Sequence, residues 1–354
     1  MAKIPESNYA TASQIYQAYE NDAEDGNRPH LGASLIGHAC ERFLWLTFRW
    51  VDAKKFPGRM LRLFETGQLE EQRVARNLRR IGVELHTETP DGKQWRVSSL
   101  GGHFAGSMDG AGRGFPEAPK TWAVWECKTS NTKGFKELQE KGLQKAKPQH
   151  YAQVTIYMGE TGMDRAMYTC VCKETDEIYT EWVHFDPVEF ARLRARAERV
   201  INANEPPLRC SNDPSWYVCK MCDFHEHCHG EAAPAVNCRT CAHSTPHMVD
   251  EDALWTCGSS PDNDPALTVS DQRKGCGGHR YIPILLERFA KQSDYVNGDV
   301  VYETEAGPFV NGDPANGALS SQEIRDCAQK VMLADAYRIK CELLGQGFEG
   351  KVVA

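Results

Sequence analysis

The sequence predicts an α/β fold: a mixed β-sheet flanked by helices, followed by a small cysteine-rich metal-binding C-terminal module. Three observations carry this reading. Between about residues 83 and 185 the segments run strand, strand, strand, helix, strand, strand, with helical patterns before and after. One of those strands, Trp122 to Cys127, is mostly apolar, as a buried strand is. Eight of the 14 cysteines lie within the 67 residues from Cys210 to Cys276. Clustered thiols in a chain without an export signal point to metal rather than to structural disulfides.

The bulk numbers fit this class. A chain of 354 residues holds one large domain or two modest ones, and 41% hydrophobic with 25% charged residues is ordinary for a globular protein. No apolar run is long enough for a membrane span. The N-terminal Met-Ala-Lys-Ile-Pro-Glu lacks an apolar signal region, so a cytoplasmic location is expected. A net charge of −8 argues against a protein coated in basic surface, but residues 41–80 carry ten Arg/Lys against five Asp/Glu. A local basic groove therefore stays open.

Taken in order, residues 8–20 read as a short helix and 21–30 as a polar loop. Ser34 reads as the N-cap of an amphipathic helix running to about Trp50, with Cys40, Glu41 and Arg42 followed by Phe43, Trp45, Phe48 and Trp50. A longer helix spans Met60 to Ile81 and holds Gly67, Glu71, Arg73, Arg76, Arg79 and Arg80. Taken alone, those arginines suit a solvated face. Residues 83–97 read as strand-rich. Gly101 to Asp109 and Trp122 to Cys127 read as two strands around a Gly/Pro-rich loop, Gly110 to Lys120. Lys133 to Lys147 is a polar loop or short helix. Pro148 opens a helix on which Gln149, Gln153 and Tyr157 recur on one face. Strands at Ala166–Cys172 and Ile178–Phe185 and a charged helix from Pro187 to Ala203 complete the core. Beyond the cysteines come a short helix from Tyr281, a hairpin of Asp299–Glu305 with Phe309 and Val310, and a final helix. Ser320 or Ser321 caps that helix, which runs to about Leu344.

A buried strand ending in Glu126-Cys127-Lys128 needs a reason, because burying either charge is costly without a partner. The neighbouring strand ends in Asp109, in Gly106-Ser-Met-Asp-Gly110. Pairing these strands brings Asp109 and Glu126 together. Two converging carboxylates repel unless a cation sits between them, and hard oxygen ligands favour Mg²⁺ or Mn²⁺. Lys128 then stands beside the ion, able to orient or help deprotonate a water.

At these residues the chain resembles the PD-(D/E)XK nuclease superfamily. Asp109 matches its motif aspartate, with Met108 in place of the usual proline, and Glu126-Cys127-Lys128 matches its ExK. Gly67-x-x-x-Glu71 looks like the first motif, and Gln153-x-x-x-Tyr157 the fourth, as in RecB-type and lambda-exonuclease-type members. The resemblance covers residues 34–228. It implies a restriction-endonuclease-like core in which Asp109, Glu126 and the backbone carbonyl of Cys127 hold Mg²⁺. Lys128 positions or activates the water, and Glu71 helps through a metal-bound water or a second ion. Gln153 and Tyr157 orient the phosphate or brace Lys128. Arg73, Arg76 and Lys133 are candidate DNA-backbone contacts.

Cys219, Cys222 and Cys228 form a C-x2-C-x5-C run that lacks a fourth ligand, and Cys210 is the nearest in sequence. Zinc, with a nitrogen from His225, His227 or His229, is one reading. The iron–sulfur branch of RecB-like nucleases, including the AddB-type and CRISPR-adaptation enzymes, implies another. There a lone cysteine ahead of the core joins three after it, and Cys40, in Ser34-Leu-Ile-Gly-His-Ala-Cys-Glu-Arg42, occupies that place with Glu41 replacing proline. A [4Fe–4S] cluster on Cys40, Cys219, Cys222 and Cys228 would close a loop of about 190 residues. Cys238, Cys241, Cys257 and Cys276 read as a zinc-ribbon-like Zn²⁺ site, with His243 or His279 able to replace one thiolate.

The expected organisation is a nuclease domain over residues 1–230, a cysteine-rich module over 231–290 and a hairpin-and-helix extension over 291–354. The expected activity is a Mg²⁺-dependent DNA exonuclease for recombination or end processing, in the host cytoplasm if phage-encoded. The alternatives are a structure-specific or single-strand endonuclease and a catalytically silent DNA-binding scaffold. DNA is the expected partner, with a single-strand annealing or recombination protein and self-association as further expectations; a membrane is not expected.

Overall fold

The computed structural model describes residues 10–23, 26–53, 55–249, 252–260, 265–296, 298–328 and 332–347. The six N-terminal residues read for a signal and the first residues of the expected 8–20 helix lie outside these.

The elements run α1 (Ala10–Asp22), β1 (Leu31–Gly32), α2 (Glu41–Phe48), α3 (Gly58–Arg80), β2 (Glu84–His86), β3 (Trp95–Ser99), β4 (Phe104–Met108), β5 (Gly110–Arg113) and β6 (Ala123–Ser130). Then come α4 (Thr132–Ala146), α5 (Pro148–Thr161), β7 (Arg165–Cys172), β8 (Ile178–His184) and α6 (Pro187–Asn202). The main sheet has the order β2-β5-β6-β7-β8. β6 and β7 are parallel, joined by the crossover through α4 and α5, while the other neighbours are antiparallel. A second sheet, β1-β4-β3, splits from it between β4 and β5. The observed fold is thus mixed α/β, with mixed sheets flanked by helices.

Strand periodicity explains the layering. On β6, Val124 joins the larger core with α2, α5 and α6, while Ala123, Trp125 and Cys127 join a second core with Val74 and Ala75 of α3. Alternation therefore puts Glu126 and Lys128 on the face turned toward α5. Asp186 starts α6 by accepting bonds from the backbone of Val188 and Glu189, and Pro148 opens α5 without losing a helical bond.

Four expectations are corrected. Ser34 does not cap a helix: residues 33–35 form a 3₁₀ turn and α2 starts only after an extended Cys40. Gly37 explains the delay, because its backbone lies so close to α5 that a Cβ there would come within 2.6 Å of the Gln149 Cα. The loop expected from Gly110 begins as a strand, β5, since its glycines allow close packing against His86 and Phe115. Residues 133–146 lie in α4, a helix broken by a kink at Gly142 (φ 73°), whose Phe135, Leu138 and Leu143 are buried beneath a lysine-rich surface. Among the described residues the tail holds two helices, Ser321–Cys327 and Leu333–Gly345, rather than one.

After α6 the chain forms α7 (Tyr217–Lys220), α8 (His225–His229), β9 (Ser244–Pro246), β10 (Trp255–Cys257) and α9 (Val269–Lys274). It ends in β11 (Lys291–Val296), β12 (Asp299–Thr304), β13 (Gly307–Asn311), α10 (Ser321–Cys327) and α11 (Leu333–Gly345). Ser320 caps α10 in a capping box with Glu323. The expected hairpin is β12–β13, extended by β11 into a three-stranded sheet. Trp255, Ile282 and Leu285 belong to the same core as α2 and α5. Arg42 of α2 pairs with Glu287 at 2.9 Å.

Candidate active site

Asp109 stands in the bend between β4 and β5, where the chain leaves one sheet for the other. The β5–β6 pairing ends at Gly110 opposite Trp125. Beyond it the edge of β6 is open, and the backbone N–H of Cys127 donates to Asp109 Oδ2 at 2.8 Å. In a strand the N–H and C=O of one residue point to the same edge, so the Cys127 carbonyl also faces Asp109. The Cys127 thiol faces the opposite core, so this residue offers the site its backbone alone.

Glu126 is fully buried. Lys128 donates to its Oε1, while its Oε2 has no hydrogen-bond partner. Lys128 Nζ is also 3.9 Å from Asp109 Oδ2. Burial, then the nearby Asp109, pushes the Glu126 carboxyl up to about 8 despite Lys128. Asp109 is raised by burial, against Lys128 and the Cys127 N–H. Burial would lower the Lys128 ammonium, but Glu126 and Asp109 reverse that and hold it above the usual lysine range. Glu71 on α3 joins the group: burial and Asp109 raise it to about 7. Three carboxyls that all resist ionisation thus gather around one lysine, an oxygen donor set that could hold a hard divalent cation.

On α5, Gln153 Nε2 donates to Tyr157 Oη at 3.0 Å, and Tyr157 donates to the Ser107 carbonyl at 2.7 Å, beside Asp109. Tyr157 fits only because residue 106 is glycine: a Cβ there would sit 2.8 Å from the ring. A cleft of about 580 Å³ opens over the group, lined by Asp109, Lys128, Gln153 and Tyr157 together with Arg28, His30, Gln94, Gln149 and His150. Burial, then Arg96 and Arg28, depress His30 to about 4, and burial with Lys128 takes His150 to about 3. Both are therefore neutral imidazoles at physiological pH, and Arg28 and Lys128 are the cationic side chains of the lining.

Of the residues expected from sequence, Asp109, Glu126, Lys128, Glu71, Gln153 and Tyr157 come together. Arg73, Arg76 and Lys133 do not line the cleft. Arg73 pairs with Glu70 at 2.8 Å and with Asp176, while Arg76 and Lys133 are exposed. The sequence reading missed Arg28, His30, Gln94 and His150. Gln149 shares a face with Gln153 and Tyr157, and that periodicity could have marked it; its amide donates to the Ser34 carbonyl at 2.8 Å.

Cys40, Cys219, Cys222 and Cys228 line one small pocket with a fifth thiol, Cys210, and with Arg42, Arg209, His225 and His229. Cys238, Cys241, Cys257 and Cys276 line another, of about 310 Å³, beside His279. Among the described residues, no three His, Cys, Asp or Glu side chains close on a point tightly enough to hold a metal ion as they stand. No described helix is long and apolar enough to cross a membrane.

No model of a known protein family matches the chain. No curated protein matches it either. Among solved structures, the protein SSO0001 is similar at 16% identity with a TM-score of 0.38, over 62% of this chain and 96% of its own. An alkaline exonuclease, LHK-Exo from Laribacter hongkongensis, is similar at 15% identity and a TM-score of 0.36, over 53% of this chain and 89% of its own. The same exonuclease in complex with dAMP gives 13% and 0.35 over the same shares. At such scores no property of those proteins transfers to this chain.

Proposed function

We propose that this chain is a metal-dependent deoxyribonuclease that hydrolyses phosphodiester bonds, acting as an exonuclease in recombination or end processing. The observation that carries the reading is the convergence of Asp109, Glu126, Glu71 and Lys128, with Asp109 and Lys128 lining a cleft that Arg28 also lines. The unpartnered, buried Glu126 Oε2 and the carboxyls raised chiefly by burial suit a hard divalent cation. Asp109, Glu126 and the Cys127 carbonyl would hold Mg²⁺ or Mn²⁺. When bound, such an ion lowers the pKa of a water and offsets charge on the phosphate.

The chain's own residues divide the remaining work. Lys128, kept protonated by two carboxylates, donates hydrogen bonds and holds the attacking water and a phosphate oxygen in place; it does not take up a proton. Glu71 adds a proton-accepting oxygen beside Asp109. Tyr157 is held by Ser107 and Gln153, and so fixes the strand that carries Asp109. Arg28, in the lining of the cleft, offers a fork of donors suited to a DNA phosphate.

The test uses linear, nicked and closed-circular duplex DNA with Mg²⁺, alongside Asp109→Ala and Lys128→Ala. Degradation of linear DNA alone, lost in both variants, supports the exonuclease. Cleavage of closed circles means an endonuclease. Binding without cleavage in metal-loaded protein means a scaffold.

We infer in addition that Cys40, Cys219, Cys222 and Cys228 hold a [4Fe–4S] cluster that ties α2 to the segment after α6. A pocket lined by five thiols suits it. Burial raises the Cys228 thiol while Arg42 and Arg209 pull it down toward the thiolate that a cluster needs. Iron and sulfide content after anaerobic purification, in the parent and in Cys40→Ser, separates this from zinc held with His225 or His229.

A further inference from the structure

Arg49 and Arg239 are buried, at 2% and 0% exposure. A guanidinium stays protonated in proteins, so each is buried as a charge. Among the described residues neither meets a carboxylate. Arg239 donates to the carbonyls of Phe48 at 3.0 Å and Pro29 at 2.8 Å and to Gln272 at 2.9 Å. Arg49 donates to the carbonyls of Ala203, Ser244 and Arg239, and its Nε has no partner. Ring faces of Trp50 and Trp255 lie 3.7 and 4.7 Å from the Arg239 guanidinium, and Trp255 also lies 5.0 Å from that of Arg49. Carbonyls and rings solvate a cation without neutralising it, and a buried charge with no counter-charge is expensive.

A candidate counter-charge lies on the same chain segments. Arg239 lies between Cys238 and Cys241, and Trp255 is two residues from Cys257. These three thiols and Cys276 line one cavity. The backbone N–H of Arg280 donates to Cys241 Sγ at 3.5 Å, a contact that orients a thiolate. We propose that Cys238, Cys241, Cys257 and Cys276 bind one Zn²⁺ as a tetrathiolate, and that this centre is the counter-charge of the buried Arg49 and Arg239. Zinc with four thiolates carries two net negative charges, matching the two guanidiniums. Closing the thiols on the ion also fixes Arg239, whose bond to the Pro29 carbonyl holds the backbone next to His30 in the cleft. The proposal stands independently of the nuclease reading.

The full chain, expressed with zinc, is assayed for metal content and then loaded with Co²⁺ as a spectroscopic probe. The expected result is one zinc per chain and the intense visible absorption of tetrahedral cobalt thiolate. Cys276→Ser weakens zinc binding by about 100-fold or more, Cys276→His retains it, and Cys341→Ser leaves it unchanged. Zinc kept by Cys276→Ser but lost from Cys222→Ser would place the ion in the other thiol set and overturn the proposal, as would a folded chain that takes up neither metal. Removing zinc is expected to lower the unfolding midpoint more in the parent than in Arg49→Met, which needs less counter-charge. Equal shifts would overturn the electrostatic role.

Discussion

A carboxylate as deeply buried as Glu126, with one oxygen on Lys128 and the other on nothing, is unfavourable until a cation arrives. Its folded value of about 8 lies above the usual carboxylate range. The folded chain therefore binds more protons than the unfolded chain between about 4.5 and 8, so cation-free stability falls as pH rises through that window. Thermal melts without added metal should show this fall. Mg²⁺ or Mn²⁺ should raise the midpoint more at pH 8 than at pH 5, and an equal rise at both would count against a carboxylate site. Glu126→Gln should abolish cleavage, by about 10³-fold or more, yet flatten the pH dependence of the cation-free melt. Tyr157→Phe removes the donor to Ser107 and should cost about 1 kcal/mol in denaturant unfolding. Its loss of activity should be far smaller than that of Lys128→Ala, because Tyr157 acts by placing the strand that bears Asp109.

At the scale of elements, the close approach of β4 and α5 is the sensitive joint. Gly106→Ala puts a methyl 2.8 Å from the Tyr157 ring and should destabilise the fold by about 1–3 kcal/mol, read from the shift in denaturant midpoint. What the sequence made legible lies where local rules and tertiary packing agree. The apolar run before Glu126 marked β6, period two put Glu126 and Lys128 on one face, and Pro148 marked the start of α5. What it hid lies where a contact distant in sequence decides. Ser34 looks like a cap until Gly37 is seen against Gln149. The glycines of β5 look like a loop until the strand is seen between β2 and β6. The lysines of α4 mask a narrow buried stripe. Arg28 and His30 reach the cleft from a segment without periodicity, so no local pattern announces them.

At the scale of the whole molecule, three cores among the described residues are stitched by contacts between distant parts of the chain. Trp255, Ile282 and Leu285 fill the core that α2 and α5 also build. A chain ended after residue 230 would leave that core short of three large side chains and Arg42 without Glu287. Circular dichroism and melting of residues 1–230 should show a much lower midpoint or no cooperative transition; an unchanged melt would mean that the first 230 residues fold alone. A smaller core, with Tyr281, Tyr302, Phe309 and Ile324, gathers the C-terminal sheet and α10.

The bond from Arg239 to the Pro29 carbonyl spans 210 positions, and the pair of Arg42 with Glu287 spans 245. A ribosome making this protein releases α2, with its apolar face, long before the residues that will cover it exist. Until residue 287 leaves the exit tunnel, the aromatics of α2 wait on a growing chain, in the interval when chaperones act. The cleft then takes its final form late in synthesis, so a nascent chain stalled before the second thiol set would carry every residue of the cleft but lack the Arg239 bond that holds Pro29 beside His30.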